Sequence, residues 1–129
     1  MEITIRVSPG ELLDKITILE IKSARVDDAD KLRNIRYELA LLEQSWQGVA
    51  QDNAALHALH HELRAINEIL WDIEDQIRVL EAAQTFDQQF VELARRVYIT
   101  NDRRAGVKRR VNELLGSDIV EEKHYVKYD

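Results

Sequence analysis

The chain has 129 residues, 45% of them apolar and 33% charged, with a single proline, four glycines and no cysteine. That length suits one domain, and the balance is that of a folded helical protein rather than a disordered chain. The missing cysteines exclude disulfides, thiolate metal sites and cysteine nucleophiles, and fit a reducing compartment.

No apolar run approaches the ~18 residues of a membrane span, and no signal-peptide pattern opens the chain. The expectation is a cytoplasmic protein without a membrane partner. The formal net charge of −6 hides an asymmetry. Arg95 to Arg110 carries seven bases and one acid, for +6, so the rest of the chain carries −12. Glu68 to Glu81 carries five acids against Arg78 alone, for −4.

Residues Glu2 to Val7 alternate, with Ile3, Ile5 and Val7 on one side, which reads as a short strand or extended arm. Ser8-Pro9-Gly10-Glu11 is a helix start: Ser8 can cap the Glu11 N–H, Glu11 can reach back, and Pro9 suits the first helical position. The first helix runs to about Val26. Its apolar residues cover most of the circumference, so it needs neighbours on more than one side.

Asp27-Asp28-Ala29-Asp30 is a turn rich in N-cap candidates. The second helix carries Leu32, Ile35, Leu39, Leu42, Trp46 and Val49 at heptad spacing, and Gly48 with Gln51-Asp52-Asn53 closes it. In the third helix Leu56, Leu59, Leu63, Ile66, Leu70, Ile73, Ile77 and Leu80 alternate three and four apart. Only an α-helix gathers such a series on one stripe, and this one predicts a rod of roughly 37 Å along which the other helices pack. A fourth helical section begins at Phe86-Asp87 with a stripe of Phe90, Leu93, Val97, Val111 and Leu115. It runs, continuous or kinked at Thr100-Asn101-Asp102, to Leu115, where Gly116 is a natural stop. The tail Ile119 to Tyr128 alternates again and can pair with the N-terminal arm, given support from the helices. The expected fold is a single all-α domain, an antiparallel bundle of about four helices around the long third one.

Polar residues on apolar stripes mark the candidate site. Asn101, Arg104, Lys108 and Asn112 fall on the stripe of the fourth helix, Asn67 and Glu74 lie near the seam of the third, and Glu20 sits on the apolar arc of the first. Unpaired, each buried charge costs several kcal/mol, so these groups must meet each other or a ligand. One outcome is an internal salt-bridge and amide network, chiefly Glu20 or Glu74 with Arg104 or Lys108. A second is a pocket in which Arg104 and Lys108, with Asn101, Asn112 and Asn67, hold an anion while Glu20 or Glu74 serves as acid or base. In a third, the helix breaks at Thr100 and these residues face water.

The basic window invites a polyanion, but Tyr98 is its one aromatic and the chain is acidic overall, which disfavours nucleic acid. His57, His60 and His61 share a helix with no third metal ligand fixed by spacing. Asp72, Glu74 and Asp75 could recruit Glu11, Asp14, Glu38 or Glu92 for a magnesium site, but the spacing is not diagnostic and reads as a solvated acidic face. Neither metal nor cofactor is expected. No phosphate loop, Ser/His/Asp order or HExxH occurs.

The strings SPGELLDKITILEIK at Ser8 to Lys22, LWDIEDQIR at Leu70 to Arg78, VYITNDRRAGVKRRVNELLGS at Val97 to Ser117 and IVEEKHY at Ile119 to Tyr125 resemble a bacterial family of short proteins classed as a domain of unknown function. The resemblance implies a stand-alone helical protein and brings no catalytic residues with it. A looser likeness, to all-helical chorismate mutases, would give Arg64, Arg104 and Lys108 the task of gripping a dicarboxylate, but the arginine-rich N-terminal helix of those enzymes is absent. Two readings follow: a non-enzymatic assembly module acting as a homodimer, whose partner is a second copy of itself, or a small enzyme or binder of an anionic metabolite.

Overall fold

The structure is a computed structural model describing residues 1–49 and 52–129. Four helices are found among the described residues: α1 (Pro9–Arg25), α2 (Ala29–Gln47), α3 (Ala54–Ala82) and α4 (Gln88–Leu114). Each starts at the cap its sequence offers. Ser8 accepts from the Glu11 N–H, Asp28 from Lys31, Asn53 from Ala55 and Leu56, and Asp87 from Phe90. These side chains satisfy backbone donors that the first turn leaves without partners. Glu11 does not reach back to complete a capping box; its carboxylate goes to Lys108 instead.

The third helix is the expected rod. Leu56, Leu59, Leu63, Ile66 and Ile73 of its seam are buried, and Leu70, Ile77 and Leu80 are half-buried. Helix α4 passes through Thr100-Asn101-Asp102 without interruption, and Thr100 is itself buried. Its buried series, Leu93, Thr100, Val107 and Val111, runs in a register that includes Val97 and Arg104 at spacings of four and three. The main core gathers Leu13, Leu56, Leu59, Leu63, Ile66, Val107 and Val111, with Trp46, Leu70 and Leu115 packed on its edge.

Two expectations are corrected. The rod is not the element that every helix packs along, because α2 does not run beside it and only its Trp46 reaches the core edge that the rod helps to form. The hub is the shorter α1, which touches α2, α3 and α4 alike. Its buried residues (Leu12, Leu13, Ile16, Leu19 and Ile21, with Gly10, Asp14 and Thr17) point in several directions, so it needs three neighbours where an ordinary amphipathic helix needs one or two.

The N-terminal arm and the C-terminal tail, second, do not pair: no strand occurs among the described residues. Ile3 and Ile5 stand 80% and 70% exposed, so nothing covers the apolar side that a two-stranded ribbon needs. What ties the two ends is one side-chain bond, from Ser8 Oγ to Glu121 Oε1. The tail also folds back on α4, where Lys123 and Tyr128 both reach Asp102.

Helix α1 starts hard against α4. The Gly10 N–H donates to Asn112 Oδ1 at 2.6 Å, and a Cβ on Gly10 would lie 2.8 Å from that oxygen and closer still to the Lys108 carbonyl oxygen. The carbonyl is backbone and cannot swing aside. Gly10→Ala is therefore expected to destabilise the fold by about 1–3 kcal/mol, as overpacking does. A urea midpoint equal to that of the wild type would contradict this.

Candidate functional site

The polar groups meet where α1 crosses α4. Stepping back along α4, Asn112, Lys108 and Arg104 each engage α1, at Gly10, Glu11 and Asp14 respectively. The pairing order is that of antiparallel helices, and the four-residue step keeps all three α4 side chains on one face.

Asp14 is the centre of the junction and is only 1% exposed. The Arg104 guanidinium grips it with two bonds, Nε to Oδ1 at 2.9 Å and Nη2 to Oδ2. Asn67 of α3 donates through Nδ2 both to Asp14 Oδ1 and to Thr17 Oγ1, each at 2.9 Å. Thr17 in turn donates to the Asp14 carbonyl oxygen at 2.8 Å. Three helices are thus joined through one carboxylate. A fork-on-fork arginine pair fixes orientation as well as charge, which a lysine could not do.

Next along, Lys108 donates to Glu11 Oε2 at 2.6 Å and lies 3.4 Å from Glu121 of the tail. Burial works to raise the Asp14 carboxyl, but the bonds from Arg104 and Asn67 outweigh it and hold it below the usual carboxylate range. Glu11 is held low in the same way, burial being outweighed by Lys108. The Arg104 guanidinium is held high by its bond to Asp14, and Lys108 is pushed up by Glu11 against the opposing effect of burial.

The sequence-predicted residues divide. Arg104, Lys108, Asn67 and Asn112 belong to the junction, and Asn101 touches its rim, its Oδ1 3.4 Å from Arg104 Nη1. The two predicted carboxylates do not. Glu20 lies on another side of α1, 2.9 Å from His60 Nε2 and 3.9 Å from Arg64. Glu74 is exposed on α3 and accepts from Arg78, one turn away. The true partners are Asp14 and Glu11. One available signal was the series Gly10, Asp14, Thr17 and Ile21, a second seam at spacings of four, three and four on a helix that already carries an apolar stripe.

Asn67, Glu74, Asn101 and Arg104 do line one notch between α1, α3 and α4, of about 400 Å³. Arg64, the third cation of the chorismate-mutase likeness, pairs with Glu68 and Glu20 instead of facing Arg104 or Lys108. His57 is exposed beside Asp52, and among the described residues no group of three or more His, Asp or Glu side chains could hold a metal ion. The acidic and basic windows do not neutralise each other by ion pairs among the described residues. Arg110 pairs with Glu62, Arg95 with Glu92 and Arg109 with Glu113, whereas Asp72 takes Arg25 of α1.

The fold and this junction define a four-helix protein whose interior charges are locked in pairs. The chain belongs to a family of unknown function, DUF6165, whose model matches residues 3–128. No curated protein and no solved structure matches it.

Both junction carboxyls titrate lower in the folded protein than in the unfolded chain. The stability they lend is complete above their unfolded-state values of about 4 and is lost as pH falls through the lower folded-state values. Arg104 and Lys108 are held high, so their share is complete below the ordinary lysine and arginine values and is lost only in strong alkali. Asp14→Asn keeps the shape but strands Arg104. It is expected to cost roughly 3 kcal/mol at neutral pH and to flatten the acid limb of the stability curve. Urea titrations from pH 7 to pH 3 check this, and an acid limb as steep as the wild type's would contradict it.

Proposed function

We propose that the protein is a non-enzymatic assembly module that works as a homodimer in the bacterial cytoplasm. What carries this reading is the contrast between a spent interior and an unspent surface. Among the described residues, every buried side-chain nitrogen and oxygen has a hydrogen-bond partner, and the Arg104 and Lys108 charges are committed to Asp14 and Glu11. An acid, base or anion grip formed there would first have to break a desolvated pair.

The surface is generous by comparison. The chain exposes 9255 Å², whereas a compact monomer of 15.0 kDa exposes about 7,000 Å². The excess, roughly 2,000 Å² on one chain, exceeds the ~800 Å² that each partner gives to a standard protein–protein interface. Extended ends contribute to it, and so do the exposed side chains Tyr37, Leu41, Val49 and Phe86. No helix among the described residues is long and apolar enough to cross a membrane, so a bilayer-spanning role does not account for this apolar surface.

The second reading, a binder or enzyme for an anionic metabolite such as a nucleotide or sugar phosphate, is favoured by one observation. Four of the predicted site residues share the notch beside Arg104. It ranks below the first because that arginine is already bidentate on Asp14.

Light scattering is expected to give a mass near twice 15.0 kDa, and a strict monomer at high micromolar concentration would overturn the assembly reading. Thermal-shift measurements against nucleotides and sugar phosphates are expected to show no stabilisation. Stabilisation that is abolished by Asn101→Ala would reverse the order of the two readings.

A further inference from the structure

Among the described residues, helix α2 is the one helix with no buried residue, although it carries an apolar seam. Its backbone lies close to α1 alone, and of its 19 residues only Trp46, near its end, reaches the edge of the main core. Yet Leu32, Ile35, Leu39, Leu42 and Trp46 repeat three and four apart, and Val49 continues the series just past the helix end. A single neighbour covers one flank of such a stripe. The half-buried state of Leu32, Ile35, Leu39, Leu42 and Trp46 is what one covered flank produces, and Val49 remains 53% exposed. The N-terminal arm does not take up the other flank: it reaches α2 through Glu2, bonded to Tyr37 on the far side of the helix from the seam, and its apolar residues Ile3 and Ile5 stay in solvent.

We infer that the open flank of α2 is filled by α2 of a second copy of this chain, running antiparallel about a two-fold axis between Ala40 and Leu41. The inference rests on the homodimer reading and names its interface. The charges of α2 choose the occupant and its direction. Lys31 and Arg36 lie on the first half of the helix, Glu38 and Glu43 on the second, and all four are exposed. Among the described residues neither Arg36 nor Glu43 takes part in an ion pair within the protomer; Arg33, on the outer face, pairs with Asp30.

In a parallel pair the flanking positions meet five residues apart. Lys31 would then face the partner's Arg36, and Glu38 the partner's Glu43, so both contacts repel. In an antiparallel pair centred on Tyr37, Arg36 would lie beside the partner's Arg36 and Glu38 beside the partner's Glu38, which repel as well. Centred between Ala40 and Leu41, the seam stacks Leu39 on the partner's Leu42, Ile35 on the partner's Trp46 and Leu32 on the partner's Val49. Arg36 then lies beside the partner's Glu43, twice by symmetry. This register uses the whole seam and carries opposite charges at its flanks. A closed isologous contact of this kind also ends assembly at two copies.

The test is a charge reversal on the full-length protein, followed by sedimentation equilibrium. Arg36→Glu and Glu43→Arg each turn two attractive contacts into two repulsive ones, and each is expected to weaken the dimer by about tenfold. The double variant, Arg36→Glu with Glu43→Arg, restores opposite charges and is expected to dimerise as the wild type does. Both side chains are exposed, so the thermal melt of each protomer at low concentration should match the wild type and separates lost assembly from lost folding. Single variants that dimerise as tightly as the wild type would overturn the α2 interface while leaving a homodimer in place. A double variant as weak as the single ones would overturn the register. A wild type that stays monomeric would overturn the interface together with the reading beneath it.

Discussion

The Asp14–Arg104 pair is the constraint on which the bundle turns. An almost fully buried carboxylate is expensive unless every lone pair is met. Here the arginine fork of α4 and the Asn67 amide of α3 donate to it, while the Thr17 hydroxyl accepts from the same amide and holds it in place. Arginine and asparagine reach Asp14 only if α1, α3 and α4 hold one rotation and one axial position relative to one another. A leucine seam tolerates a slip of one turn at modest cost, because leucine replaces leucine. A slip here would leave a buried charge without its partner. The hydrophobic cluster supplies most of the driving force for collapse, and the polar junction selects which collapsed arrangement survives.

The junction also explains why α1, not the longest helix, is the hub. One side of α1 carries Gly10, Asp14, Thr17 and Ile21, and the junction keeps this side turned towards α3 and α4. Gly10, without a side chain, lets the start of the helix close on the α4 backbone. With two neighbours held there, the remaining apolar arc of α1 must be covered from elsewhere, and α2 covers it. Helix α2 is thereby carried to the outer side of α1, and only Trp46 near its end meets the core that α3 and α4 share. An incomplete fourth position in the bundle and a half-covered α2 seam are two descriptions of the same geometry.

Seen this way, the charged residues do two jobs with different physics. At the junction, desolvation makes each pair strong and costly to break, so it fixes the register of the helices. On the outer helix faces the pairs are solvated and mostly local, as between Arg95 and Glu92 or Arg78 and Glu74, and lend little stability. The basic window of α4 combines both kinds. Arg104 and Lys108 point inward and are spent, while Arg95, Arg109 and Arg110 stay outside with neighbouring glutamates. A raw charge count over residues 95–110 cannot separate the two.

Much of the architecture could be read from periodicity and caps, because both are local. The 3-4 series from Leu56 to Leu80 required a rod, Ser8, Asp28, Asn53 and Asp87 marked the helix starts, and Arg104 and Lys108 on an apolar stripe required buried partners. Which carboxylates would meet them was not local. Glu20, Glu74, Asp14 and Glu11 are chemically alike. Only the rotation of α1 against α4 turns Asp14 and Glu11 to the junction and Glu20 towards His60, while the rotation of α3 leaves Glu74 in solvent. The position of α2 was undetermined for the same reason: its seam asked for a neighbour without saying which one. The chain by itself dictated which segments coil and which side chains need burial, since those follow from the order of residues along one helix. Tertiary structure alone decided who faces whom, because that depends on angles between helices that no single segment encodes.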